Sequence, residues 1–471
     1  LLETNYPLQE GTPVKTQCTQ SEFELQEIDG KSVTVKNDGA RISSDGGLVL
    51  LAQLERKYKI ISRVAEVFVD LRNPKLVQHE LVPLLKQRIY GLCQGYEDIN
   101  DHDAWRTDPL LAIACGKVPS TTMLAGKGTL NRLELGAKTT DAKSRYKNIR
   151  YHEDMLPSIF IELFMKLHPQ GRKAPKEIII DVDATDDPIH GNQEGRVFNG
   201  YYDEYCYLPL YMFIGSIPVW AELMTADKDP ATGVVPALKR IIPAIRLHWK
   251  NTRIILRGDS GFCRTDILDW CEQENISYVI GLPKNRRLTR AIGGSIQAVS
   301  DAWKKTGEPQ RIFRDIRYKT KKTWKKARRV IGKAEHLALG PNPRFIVTNL
   351  ETQYGSARSL YEDLYCARGD MENRIKEQKL FMFASRLSTH TIRANQLRLY
   401  FSTIAYLFMV ILRITNSGDP DIATAQASTI RLRFLKVGAQ VTVSVRRIVI
   451  HIAESYPYWN SWLGIQQQLI S

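Results

Sequence analysis

The chain has 471 residues, 43% of them hydrophobic and 25% charged, enough for about three domains with sizeable cores. Lys and Arg outnumber Asp and Glu by 66 to 51, and the net charge of +15 suggests a polyanionic partner, nucleic acid or an acidic membrane surface. The apolar content excludes wholesale disorder. Seven scattered cysteines without a C-x-x-C pair argue against a disulfide framework or a zinc site and fit a reducing cytoplasm. No basic-then-apolar leader opens the sequence. The longest apolar stretch, Tyr400 to Leu412, is too short to span a bilayer and lies between Arg398 and Arg413, so it reads as a core helix and a membrane protein is excluded. The first methionine is Met123, so Leu1 is read as lying inside a longer native chain.

In chain order, residues 1 to about 40 mix Thr, Gln, Gly and charges, and Lys31 to Val35 is the one strand expected there. From Ser44-Asp-Gly-Gly the pattern turns helical: Leu48, Leu51, Leu54 and then Ile60, Ile61, Val64 and Val67 recur at three- and four-residue steps. Leu81 to Cys93 and Pro109 to Ala114 continue it, so residues 1–172 are read as a mostly α-helical region. At Gly171-Arg-Lys-Ala-Pro the character changes. Glu177-Ile-Ile-Ile-Asp-Val-Asp is a β-branched run ending in carboxylates, read as a buried strand that delivers acids to its C-terminal end. Strands follow at Cys206 to Ile214 and Ile217 to Leu223, then a helix at Val234 to His248, a strand from Arg253, a helix at Thr265 to Gln273 and a strand at Tyr278 to Leu282. That order is compatible with an RNase H-like α/β domain without singling it out.

Residues 299–359 read as a β-rich insertion. Its stretch 311 to 333 holds Arg311, Arg314, Arg317, Lys319, Lys321, Lys322, Lys325, Lys326, Arg328, Arg329 and Lys333 against Asp315 alone, so it carries +10 of the +15. Helical periodicity resumes from Leu360 to Ile414. Residues 173–298 and 360–414 would then be two parts of one core. The tail, 415–471, is expected to form a basic strand pair, Thr429 to Val437 and Gln440 to Ile450, bearing Arg431, Arg433, Arg446 and Arg447.

Three carboxylate positions carry the chemistry: Asp181 or Asp183 at one strand end, Asp259 at another, and Glu372 in a late helix. Two-metal phosphoryl transfer needs acids converging on a pair of Mg²⁺ ions roughly 4 Å apart. Asp181 and Asp183 are two residues apart on one strand face, so spacing does not choose between them. Tyr365, Arg368, Glu372 and Lys379 fall within a roughly 60° arc of a helix at 100° per residue, placing a metal-type carboxylate beside cations suited to phosphate. Ala125-Gly-Lys-Gly-Thr lacks the spacing of a phosphate loop. The acidic stretch Gly95 to Asp108 reads as capping or connecting helices rather than as a metal site.

The run Tyr365-Cys-Ala-Arg368-Gly-Asp-Met-Glu372-Asn-Arg-Ile-Lys-Glu-Gln-Lys379 resembles the Y-(2)-R-(3)-E-(6)-K signature of DDE transposases from bacterial insertion sequences. Asp183-Ala-Thr185 is similar to the first aspartate motif of that superfamily, and Gly258-Asp259-Ser-Gly-Phe262 to the second. Gly95-Tyr-Glu-Asp-Ile-Asn-Asp-His-Asp, Asp183-Ala-Thr-Asp-Asp-Pro-Ile-His-Gly-Asn-Gln, Ile430-Arg-Leu-Arg-Phe-Leu-Lys-Val-Gly and Ser444-Val-Arg-Arg further resemble the insertion-sequence family numbered thirteen-eighty.

The resemblance implies an RNase H-like core in which Asp183, Asp259 and Glu372 bind two Mg²⁺ ions, with Mn²⁺ able to substitute, to cleave transposon ends and join their 3′-OH groups to target DNA. Thr185 favours Asp183 over Asp181. Arg368 and Lys379 would hold the terminal phosphate with Tyr365 nearby, and His190 and Gln193 either touch substrate or form a turn. The basic insertion, with Lys321, Lys322, Lys325, Lys326, Arg328 and Arg329, would track DNA phosphates. Trp324 either stacks on a flipped base or packs the insertion's own core. The implied partners are double-stranded DNA and a second copy of the chain on DNA, in the cytoplasm and at the nucleoid. A domesticated DNA-binding derivative and an RNase H-like nuclease that does not join strands are the alternatives.

Overall fold

Alternating and clustered apolar residues build the sheet and helices that surround the acidic motifs. The computed structural model describes residues 22–119, 123–139, 143–144, 146–168, 174–415, 418 and 420–470. The boundary at 171–173 and Cys18 lie outside the described residues. The N-terminal part opens with a hairpin of Glu22–Ile28 against Lys31–Lys36, which contains the expected strand. The helices α1 (Leu48–Tyr58), α2 (Leu81–Gln94) and α3 (Leu156–Leu167) follow. Pro109–Ala114 is a short helix whose first amides, Leu110 N and Leu111 N, donate to the Asp108 side chain.

The central sheet has eleven strands, eight of them along its main path. They are β1 (Glu177–Ala184), β2 (Glu204–Ile214), β3 (Ile217–Thr225), β4 (Arg253–Gly258), β5 (Ser277–Leu282), β6 (Gln310–Tyr318), β7 (Arg328–Leu337) and β8 (Arg344–Thr348). Their order is β3-β2-β1-β4-β5-β8-β7-β6. β1, β4 and β5 are parallel neighbours, and the other adjacent pairs are antiparallel. The parallel strands are joined through α4 (Val234–His248) and α5 (Thr265–Gln273), crossovers that parallel pairing demands. Beyond β5 the chain forms a short helix, Arg286–Ala291, and α6 (Gly293–Thr306) before the β-rich strands. Those strands do not fold apart: β8 pairs with β5, so the basic segment extends the same sheet.

Helical periodicity after Leu360 is real but not uniform. Leu360–Tyr365 is a π-helical turn and Cys366–Arg368 a 3₁₀ turn, and α7 begins only at Gly369 and runs to Phe381. α8, Ile392–Thr415, is the expected core helix: it is long and apolar enough to cross a membrane, yet most of it is buried in this fold. It packs on α2 and β3, so the helices before residue 168 and the sheet share one apolar cluster that runs from Leu48 to Leu469. Each fully buried Leu, Ile or Phe there contributes about 1.5–3 kcal/mol relative to exposure.

The tail corrects one expectation. Thr429 to Val437 is not a strand but helix, Ala427–Ile430 continued by a π turn at Arg431–Leu435. Ile430 and Phe434 are buried while Leu432 between them is 72% exposed, which fits a helical turn and not strand alternation, where all three would share one face. Arg431 donates to the carbonyls of Leu92, Cys93 and Phe381, which ties α2 to α7 and removes it from any DNA-facing surface. The strand pair is instead Ala439–Val443 with Ile448–Ile452. The preceding turn passes over Gly47, where a Cβ would lie 2.2 Å from the Phe434 carbonyl oxygen. Beside it, buried Asp45 accepts from Tyr96 Oη, Trp105 Nε1 and Lys436 Nζ at 2.7 to 2.8 Å, pinning the tail to the N-terminal part. The capping box Asp98 to Asp101 agrees with a capping role for the acidic stretch.

Candidate active site

The register of the parallel strands brings two acids together. Val182 lies opposite Gly258, so the next residues, Asp183 and Asp259, leave neighbouring strands at the same edge, and parallel strands are spaced by about 4.8 Å. Asp183 Oδ1 accepts from Ala184 N at 2.9 Å, and Asp259 caps the following turn through Gly261 N at 2.8 Å. On β5, Gly281 makes room for that turn. A Cβ there would lie 2.7 Å from Tyr365 Oη and 2.8 Å from Ser260 N, so only glycine lets the tyrosine and the Asp259 turn approach each other.

The irregular turn before α7 carries the third acid in. Arg368 Nη1 donates to Asp183 Oδ2 at 3.2 Å, and Nη2 donates to Glu372 Oε1 at 2.9 Å. A π turn at such a place is a common device of functional helices. Lys379 Nζ, two turns on, reaches Thr185 Oγ1 at 3.2 Å and the Asp186 carbonyl at 2.5 Å. A cleft of about 350 Å³ lies between Asp183 and Thr185 on one side and Glu372, Lys376 and Lys379 on the other, with Ile375 and Leu380 as its apolar wall. A larger cleft, about 940 Å³, lies against Trp105 and Arg106 and contains none of these acids.

Burial pushes the Asp183 carboxyl up to about 6, and Asp259 adds to the shift while Arg368 opposes it. Among the described residues no group of three or more His, Cys, Asp or Glu side chains stands close enough to hold a metal ion as it is. Asp183, Asp259 and Glu372 share a neighbourhood, with Arg368 between two of them, rather than a finished cage.

Asp181, which spacing left level with Asp183, has a different environment. It is buried and bound by Arg257 through Nε at 2.5 Å and Nη2 at 2.9 Å, with Arg374 3.7 Å away. Arg257 also donates to the Leu364 carbonyl at 2.5 Å, so this pair fixes the entry to the irregular turn. Arg257 was missed in the sequence, although its position two residues before Asp259 puts it on a known face of β4. Gln193 belongs to a buried network with Tyr207 and Asn395, the turn alternative, while His190 is exposed.

The basic insertion divides into two classes. Lys321, Lys322, Lys325 and Lys326 are exposed, the last paired with Glu272 at 3.0 Å. Arg328 and Arg329 are corrections: both are buried, Arg328 against Asp269 and Glu272, and Arg329 against Asp315 and the Leu350 carbonyl. Trp324 is a correction too. It is 4% exposed, packs edge-on against Tyr318 and lies under Arg328, so the core-packing alternative holds. The placement of the loop differs as well. β6 ends and β7 begins opposite one another at Tyr318 and Arg328, and the pairing of Arg329 with Thr348 and of Thr348 with Val279 sets them below the level of Asp183. The lysine loop therefore opens at the edge where β1 and β4 begin, not beside the carboxylates.

The model for the family described as transposase DDE domain group 1 matches residues 25–470. The chain belongs to the DDE transposases. A search of the curated proteins returns no match. Membership of this family makes the chain a transposase with DNA as its partner, and the mixed α/β fold around a large mixed sheet is compatible with it. DDE transposases generally use divalent metals, and three carboxylates, one of them raised by burial and by a neighbouring acid, form a hard-oxygen donor set that suits such an ion.

Proposed function

We propose that this transposase moves an insertion sequence of the thirteen-eighty kind: it binds terminal inverted repeats, cleaves the element ends by Mg²⁺-dependent hydrolysis and joins the freed 3′-OH to target DNA. The observation that carries the reading is the shared exit of Asp183 and Asp259 from parallel β1 and β4, with Arg368 linking Asp183 to Glu372. The strand order 3-2-1-4-5 of the first five strands supports an RNase H-like core.

Asp183, Asp259 and Glu372 would hold two Mg²⁺ or Mn²⁺ ions. When bound, the ions supply activation of the attacking oxygen and stabilisation of the leaving one. The chain's own cations do the positioning. Arg368 is a planar fork suited to two phosphate oxygens, and Lys379 is a point charge held at the cleft wall by Thr185 and the Asp186 carbonyl. Tyr365, whose hydroxyl stands against Gly281, is a polar neighbour of Arg368. Lys321, Lys322, Lys325 and Lys326 would grip DNA backbone away from the cut. Residues 1–172 serve repeat recognition and assembly, and a homodimer handles both ends together, in the cytoplasm at the nucleoid.

The test incubates purified protein and Mg²⁺ with DNA carrying the element's flanking repeats. Cleaved ends and joined products are expected, and both should vanish in Asp259→Asn and Glu372→Gln. Products that persist in those variants would sink the catalytic assignment. Cleavage without joining would leave a nuclease.

A further inference from the structure

The segment after Asp183 forms a hairpin that the three-acid reading does not use. Val197–Asn199 pairs with the start of β2, Phe198 opposite Tyr205, and residues 200–203 close the turn. Register fixes where this tip points. Asp183 lies opposite Tyr211 on β2, Asp187 opposite Tyr207 and Pro188 opposite Cys206. The chain leaving Asp183 thus follows β2 back toward its first residues, and the tip overhangs the edge from which Asp183 and Asp259 emerge.

Four aromatic side chains crowd this tip, and all are exposed: Phe198 49%, Tyr201 88%, Tyr202 36% and Tyr205 40%. They are ordered. Phe198 meets Tyr205 edge-on at 5.4 Å, Tyr201 meets Tyr202 edge-on at 4.9 Å, and the Arg196 guanidinium lies 3.5 Å from the Tyr205 ring centre. Asn199 Oδ1 accepts from Tyr201 N at 3.0 Å and Tyr202 N at 3.2 Å, and Asp203 takes a left-handed φ of 58°, so the turn is fixed before anything binds.

Charge selects the occupant. Glu204 stands beside Asp186, and Arg196 is committed to the Tyr205 ring, so Tyr201 and Tyr202 offer uncharged faces that suit a base rather than a phosphate. Of the cations suited to phosphate, Arg368 is committed to Asp183 and Glu372, and Lys379 stands between the cleft and the tip, bonded to Thr185 and Asp186.

We propose that Tyr201, backed by Tyr202, stacks on an unpaired base of the DNA end whose phosphate Arg368 and Lys379 hold beside Asp183, Asp259 and Glu372. The inference rests on the transposase reading and gives this hairpin the role that the sequence offered to Trp324. Stacking on an aromatic ring tolerates any base, so the tip favours an opened end without specifying its sequence.

The probe is a duplex with two unpaired nucleotides at one end, one of them 2-aminopurine, compared with the blunt duplex in EDTA so that no strand is cut. Wild type and Tyr201→Phe should quench the fluorophore and prefer the forked end. Tyr201→Ala should lose the quench and bind the fork about tenfold more weakly, with blunt-duplex affinity unchanged. Equal quench and affinity in Tyr201→Ala, or a wild type without preference for the fork, overturns the proposal. So does a Tyr201→Ala protein that binds the fork normally but falls from dimer to monomer by light scattering, because the tip would then be a protein contact. Strand cleavage is read separately: a chain that quenches the probe yet never cuts in Mg²⁺ keeps the stacking tip and loses the catalytic reading.

Discussion

Arg368 Nη1 lies 3.2 Å from the Asp183 carboxylate, and the same guanidinium is committed to Glu372 through its other terminal nitrogen. A lysine has the charge but not the fork. Arg368→Lys is therefore expected to cut the rate of Mg²⁺-dependent end cleavage at least tenfold while the melting temperature stays within a few degrees. A variant that cleaves at the wild-type rate would remove Arg368 from the site.

Asp181 and Asp183 should part ways on mutation. Asp181→Asn strips a buried arginine of its carboxylate, a change that costs about 3–5 kcal/mol in typical buried pairs. Asp183→Asn relieves repulsion from Asp259 and should leave denaturant stability near wild type while abolishing cleavage. Urea titration and the cleavage assay, run side by side, separate the two roles.

Gly281→Ala places a methyl group 2.8 Å from Ser260 N, a backbone atom that cannot rotate away. The turn holding Asp259 must shift, with an overpacking cost of about 1–3 kcal/mol. Displacement of a reacting group by an ångström is worth on the order of a hundredfold in rate, so soluble protein with strongly reduced cleavage is expected.

Far from the carboxylates, Glu134 is fully buried between Arg88 and Arg398 and joins α2 to α8. Burial alone would raise its carboxyl, but the two arginines outweigh it and hold it below the ordinary range. A lowered folded value means that the contribution is complete above the unfolded value of about 4.3 and is lost as pH falls through the folded one. Glu134→Gln should destabilise by about 3–5 kcal/mol at pH 7, and the gap to wild type should close in acid. A gap that stays constant from pH 7 to pH 3 would refute the linkage.

The basic insertion predicts two different phenotypes. Removing Lys321, Lys322 and Lys325 together should leave folding intact and lower the slope of log affinity against log salt by about 3, since each phosphate contact contributes about 0.9. Arg328→Gln should instead unfold the protein more readily, because it takes the buried guanidinium away from Asp269 and Glu272. Salt titrations of DNA binding and thermal melts distinguish them.

Much of the catalytic fold was legible as hydrophobic period. The helices Val234–His248 and Thr265–Gln273 fall where the pattern places them, and β1 ends at the residues the acids predicted. The failures have physical causes. Thr429 to Val437 alternates well enough for a strand, but Ile430 and Phe434 find a helical groove and Arg431 finds three carbonyls. A cation in a sequence carries no mark of its partner, so Arg328 and Lys325 look alike until Glu272 is brought from α5. Trp324 looked like a base reader only because lysines surround it, and those lysines point outward while its ring points in.

The pairing of β8 with β5 makes the lysine loop and the carboxylate edge parts of one hydrogen-bonded slab. Four strand spacings separate β1 from β7, or roughly 19 Å. The loop also opens at the opposite end of the strands from the acids, so the two lie further apart than this. A slab of this kind works as a ruler: DNA seated on the lysines meets the acids at a fixed offset, and a protection experiment should find two patches of shielded backbone whose separation does not change when the sequence between them does.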